Sequence, residues 1–193
     1  MKSKEKGWVS NLLNWGRERQ MSAHERLYGA AIEIARRPDL FARYGVSDDV
    51  DGRFDALALV VSMVMRRLKE LGDDGRDLSQ RLFDSMFADM ELSLREMGAG
   101  DLGVSKRVRV MAEAFMGRLD AYTTAIDNGD REALAEALER NLLRGADSPD
   151  ARQSGLVDYV LALAAAVEAA DAQEMLDGEL QLGSVKAPRQ SHS

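Results

Sequence analysis

The chain contains no cysteine. Disulfides, thiolate metal sites and cysteine nucleophiles are excluded together, and the absence suits a reducing compartment. Proline is scarce, at 3 residues in 193, and aromatics make up only 6%; both shortages point to helices. The two histidines, His24 and His192, stand near a helix start and in the C-terminal tail. No His pair is therefore available to hold zinc or iron. The longest apolar runs are "ALALVV" (56–61), extended through "SMVM", and "YVLALAAAV" (159–167). Both fall short of the roughly 18 residues that a membrane span needs. No signal-peptide apolar region with a cleavage site precedes the fold. The expectation is a protein on the cytoplasmic side.

What is present describes a helical body with two unlike ends. Hydrophobic residues make up 45% of the 193, enough for one domain with a real core. The net charge is −7 and the pI about 5.0, which argues against specific nucleic-acid readout. Residues 1–20, "MKSKEKGWVSNLLNWGRERQ", carry five basic and two acidic side chains, against the sign of the rest. Residues 21–177 are periodic. Residues 178–193, "GELQLGSVKAPRQSHS", have no periodicity and read as a disordered tail. The fold class expected is all-α, a single compact domain of six to seven helices.

Period and punctuation divide the middle part. Ser22 caps a helix running to Arg37, which Pro38 ends, and "VSDDVDG" (46–52) is a loop. Phe54–Leu71 is a helix apolar almost all round at 56–65, hence central. "GDDG" (72–75) is a loop, Leu78–Met97 the next helix, and "GAGD" (98–101) its break. Val108, Ala112, Phe115, Leu119, Tyr122 and Ile126 form one helical stripe. "NGD" (128–130) ends that helix and caps another reaching about Leu143. "RGADSPD" is a loop, and a last Ala-rich helix runs from about Gln153 to Leu176.

Catalytic motifs are thin. "DDGRD" (73–77) has the spacing of a magnesium–diphosphate motif, with Asp73, Asp74 and Asp77 as ligands of a prenyl-diphosphate enzyme. Such chemistry wants the aspartates on one helix face opposite a second acidic motif, whereas the flanking glycines predict a solvated loop. "SDDVDG" (47–52) starts like a calcium loop, but Ala58 stands where the bidentate Glu belongs. "GAGDLG" (98–103) follows no strand, so it is no dinucleotide fingerprint. An enzyme is unsupported, and no cofactor is expected.

Surface for binding remains. Leu78, Leu82, Phe83, Met86, Phe87, Met90, Leu94 and Met97 span roughly half a helical wheel at about 100° per residue, wider than the stripe one core contact needs. The plain explanation is a helix with two neighbours. The sharper one is a groove for an apolar client, which ten methionines favour slightly. Lys106, Arg107 and Arg109 crowd an expected helix start, where cations oppose the macrodipole at about 0.3–1 kcal/mol each. Asp101 or an anionic partner would compensate. In residues 1–20, Trp8, Val9, Leu12, Leu13 and Trp15 share one side of a wheel. Trp, Leu12 and Leu13 beside basic residues predict weak membrane contact on an anionic leaflet. The alternatives are docking on the protein's own body, the ribosome or a partner.

"FADMELSLREMGAGDLGVSKRVRVMAEAFMGRLDAY", with the upstream "DGRFDALALVVSMVMRRLKELG", resembles the ubiquinol–cytochrome c chaperone family. The signature F-x-D-M, L-R-E-M-G-x-G-D-L, K, A-E-A-F-x-G-R falls on Phe87, Asp89, Met90, Arg95, Met97, Asp101, Lys106, Phe115 and Arg118, among others. The sequence departs from the pattern at Met116, where an aromatic is usual. The resemblance covers about residues 21–145. It implies a non-enzymatic assembly factor that holds newly made cytochrome b, working with a second small factor near the ribosome exit. The residues named would form the client site, with Phe87, Met90, Met97 or Phe115 lining a partly open groove and Lys106 and Arg118 at its rim. A generic helical adaptor is the other non-enzymatic alternative. Gly98 or Gly100 is expected at positive φ, turning the chain tightly between two helices.

Overall fold

In a computed structural model, the described residues are 21–96, 98, 100–143, 149–183 and 185, with the backbone alone at 101, 102 and 149–154. They form seven α-helices and no strand. Helix α1 (Ala23–Ala35) starts where Ser22 donates its backbone N–H and its hydroxyl to the Glu25 carboxylate, both at 2.7 Å. A π-helical turn, Asp39–Arg43, follows Pro38 and buries Leu40. Helix α2 (Val50–Glu70) begins four residues earlier than expected, because the Asp49 carboxylate accepts the Gly52 N–H at 2.8 Å and caps it. Every residue from Phe54 to Val64 is buried, as the all-round apolar pattern requires. Helices α1, α3, α4 and α6 all pack on this one.

Helix α3 (Gly72–Glu96) corrects the expected "GDDG" loop. Gly72, at φ +79°, turns the chain sharply after Leu71. Asp73 and Asp74 then occupy the first helical turn, where carboxylates favour the N-terminal end of the dipole. A side chain at Gly75 would come within 2.1 Å of the Leu68 carbonyl oxygen, so the tight α2–α3 junction demands glycine there. The break before helix α4 (Asp101–Asp127) is as expected, with Gly98 at φ +86°. Because α4 starts at Asp101, Lys106, Arg107 and Arg109 lie beyond the first turn. The dipole penalty assigned to them falls away, since the effect is confined to the first turn.

Helix α5 (Arg131–Asn141) is capped by Asp130, whose carboxylate accepts the Ala133 N–H at 2.9 Å. The single Ala-rich helix expected over 153–176 is two, α6 (Pro149–Glu168) and α7 (Ala172–Leu176). Asp171 divides them by accepting the N–H groups of Gln173 and Glu174 at 2.9 and 3.0 Å. Residues 178–183, placed in the tail by composition, lie on the body instead. Leu180 is buried, and the Arg37 guanidinium donates to the carbonyls of Leu182 and Gly183 at 3.1 and 3.3 Å. Gly178, at φ +89°, seats this strap so closely that a Cβ would fall 2.6 Å from the Ala23 backbone. Residues 186–193 lie outside the described residues, as do residues 1–20 with Trp8, Leu12, Leu13 and Trp15.

Candidate partner-binding surface

The α3–α4 pair carries most of the expected site residues, but it divides them between two faces. On the inner face, Phe83, Phe87 and Phe115 form an aromatic cluster with ring centroids 4.6 to 5.9 Å apart. Phe115 is fully buried and Phe87 nearly so. These two fill the core and do not line an open groove, because the α4 stripe of Val104, Phe115, Tyr122 and Ala125 is turned inward. Met90 is half-buried against the same core. Met97 lies outside the described residues, and Asp101 is described only as the first backbone position of α4.

Arg118 does not stand at a rim. Its side chain is 9% exposed and pairs at 2.8 Å with Asp55, itself 3% exposed. The guanidinium also lies 5.5 Å from the Phe54 ring centre. Arg118 therefore fastens α4 to α2. Asp89 does comparable work for α3, accepting the Tyr28 hydroxyl of α1 at 2.8 Å. Burial pushes the Asp89 carboxyl above its ordinary range, Glu96 adds to that, and the Tyr28 hydrogen bond opposes it. The Tyr28 phenol is pushed up by its own burial and then by Asp89. Arg95 is exposed and pairs with Glu91 one turn back, at 2.7 Å.

Lys106 is the one expected residue of α4 with a described, exposed side chain, and it lies on the outer face. Around it Gly103, Arg107, Arg109, Val110, Glu113, Met116 and Gly117 are also exposed. Val110 is 52% and Met116 50% exposed, high for large apolar side chains. Arg109 reaches Glu113 at 3.9 Å, while Lys106 and Arg107 have no ion pair among the described residues. A Cβ at Gly103 or Gly117 would meet nothing within 4 Å. Nothing in the chain's own packing asks for glycine there, yet glycine inside a helix costs about 1 kcal/mol relative to alanine. Gly103 and Val110 were not singled out from the sequence, and Gly117 entered only as part of the family signature. Their signal is the seven-residue spacing, which returns to nearly the same side of a helix.

Two other features complete the survey. A cavity of about 490 Å³ opens between α1, the π-helical turn and α2, floored by Ile32, Ala35, Phe41 and Leu57, with Arg36, Asp48 and Arg53 among its lining. Asp73, Asp74 and Asp77 do not converge on it or on each other. All three are exposed, and Asp73 and Asp77 pair with Arg76 and Arg81 of their own helix. Among the described residues no group of three His, Asp or Glu is arranged to hold a metal ion. The magnesium–diphosphate alternative has no geometry behind it.

The architecture is that of an all-α protein wrapped around one buried helix, with a basic and apolar helix face left open. Residues 42–182 match the model of a family described as the ubiquinol-cytochrome C chaperone, and the chain belongs to that family. The match runs through α6 and α7, well past residue 145. The chain is 27% identical over 151 residues to ubiquinol-cytochrome-c reductase complex assembly factor 1 of Xenopus laevis, covering 78% of this chain and 75% of that protein. It is also similar to the Cbp3 homolog from Brucella abortus, known from a crystal structure. There the TM-score is 0.75 and the identity 29%, over 92% of this chain and 93% of the other.

Proposed function

We propose that this chain is an assembly chaperone that holds newly made cytochrome b, or a similarly apolar membrane subunit, while ubiquinol–cytochrome c reductase is put together. The observation that carries this is the family match over residues 42–182, joined to a relative whose name is that of an assembly factor for the same complex. The work is binding, not catalysis: an apolar client needs a water-soluble surface that covers it until it is passed on. No helix among the described residues is long and apolar enough to cross a membrane. The basic segment 1–20, with Trp8, Leu12, Leu13 and Trp15, would hold the chaperone at the cytoplasmic face of the inner membrane. A second small assembly factor or the ribosome would be its further partner.

The test is capture. Cytochrome b made by cell-free synthesis in the presence of the purified chain should stay soluble and co-purify with it. A membrane protein of similar length from outside the respiratory chain should not. Equal recovery of both, or of neither, would remove cytochrome b as the client.

A further inference from the structure

Resting on that reading, we infer that the outer face of α4 from Gly103 to Gly117 receives a helical segment of the client that carries carboxylates at one end and small or apolar residues along the rest. The phenylalanine cluster is closed, so the client is met on the opposite side of the same helix. Two independent features converge there. Val110 and Met116 expose apolar surface between and beside two glycines that the fold leaves uncovered. Lys106, flanked around the helix by Arg107 and Arg109, makes this stretch of α4 basic on a chain of net charge −7, and Glu113, which pairs with Arg109, is the one acidic side chain within residues 103–117.

Each feature restricts the occupant. A bare helix backbone at Gly103 and Gly117 lets a second helix approach closely, as small residues do between membrane helices. A lipid surface gains nothing from such closeness, so the glycines favour a helix over a bilayer. The cations favour carboxylates on the partner and would repel a basic segment, which gives both steering and polarity. At 1.5 Å per residue, Arg107 and Arg109 lie about 12–15 Å along the axis from Gly117. The partner's acidic end should therefore sit two to three turns from the residue that packs on Gly117.

The experiment uses the full chain and cell-free synthesised cytochrome b. Gly117→Ala should raise the Tm by about 2–4 °C through helix propensity, which separates fold from binding. Gly117→Leu, and the triple reversal Lys106→Glu, Arg107→Glu, Arg109→Glu, should each cut capture about tenfold or more, a loss typical of central interface positions. A photo-crosslinking residue at Val110 should label cytochrome b, and one at Glu132 on α5 should not. Undiminished capture by both variants without a crosslink at position 110 overturns the inference and leaves the client assignment standing. Failure of the wild-type chain to capture cytochrome b overturns both. If the triple reversal abolishes flotation with anionic liposomes but spares capture, the face is a lipid contact and the helix proposal is wrong.

Discussion

Removing the Arg118 side chain, by Arg118→Met, should destabilise the fold severely. Both members of the pair are more than nine-tenths buried, and Arg118 Nη2 lies 2.8 Å from Asp55 Oδ1. Deleting the guanidinium leaves the Asp55 carboxylate inside the α2–α4 contact without its ion pair. Breaking a buried pair in this way costs about 3–5 kcal/mol, and loss of the Phe54 ring contact adds about 0.5–1 kcal/mol. For a domain of this size each kcal/mol lowers Tm by about 2–4 °C, so a fall of roughly 7–24 °C is expected. Asp55→Leu alone should be comparably damaging. The double variant Asp55→Leu, Arg118→Met should recover most of the loss, because two apolar side chains leave no buried charge. Urea unfolding followed by circular dichroism, with calorimetry for Tm, measures all three. Single variants costing under about 1 kcal/mol, or a double variant costing the sum of its parts, would refute the structural role. Capture of cytochrome b by Arg118→Met should fall only with the folded fraction, since the side chain faces inward.

Two further outcomes follow from other parts of the molecule. Burial holds the Asp89 carboxyl above its ordinary value of 3.8, so the folded state binds that proton more tightly than the unfolded state does. Stability therefore falls as pH rises from the ordinary value through the raised one, and is level above it. Asp89→Asn cannot titrate, so its stability relative to the wild type should increase across that window; a difference that does not change between pH 3.5 and 7 would contradict the burial argument. At low salt the full chain should float with anionic liposomes and a chain lacking residues 1–20 should not, as about 1 kcal/mol per basic residue near the surface requires. Flotation that survives the deletion would remove that segment as the membrane contact.

Much of the architecture was legible because it depends on local rules. The all-round apolar run in α2 required a central helix, and Ser22, Pro38, Gly98 and Asp130 mark real boundaries. The failures have physical causes. Gly72 and Gly75 read as loop punctuation, but one supplies a sharp turn and the other a close helix contact, with a helix running through both. The Ala-rich stretch concealed the α6–α7 break, which depends on the Asp171 side chain choosing to cap. The site was half legible. Periodicity pointed to α3 and α4, but large apolar residues mark the face a helix hides, and the open face of α4 carries the small Gly103 and Gly117. Arg118 illustrates the same limit: a sequence shows a charge, and only packing shows that Asp55 neutralises it.

The strap formed by residues 178–183 sets an order of events during synthesis. Arg37, on the stretch just after α1, finds its carbonyl partners at Leu182 and Gly183, separated from it by 145 and 146 positions. Leu180 enters the same core as α1, and Gly178 rests on the Ala23 backbone. The earliest described helix is thus sealed by residues made about 145 positions later. While those residues are still in the ribosome, α1 has an unsealed flank, and this long-range closure is still to come. Emergence of residues 178–183 from the ribosome is therefore the step that closes this flank of α1.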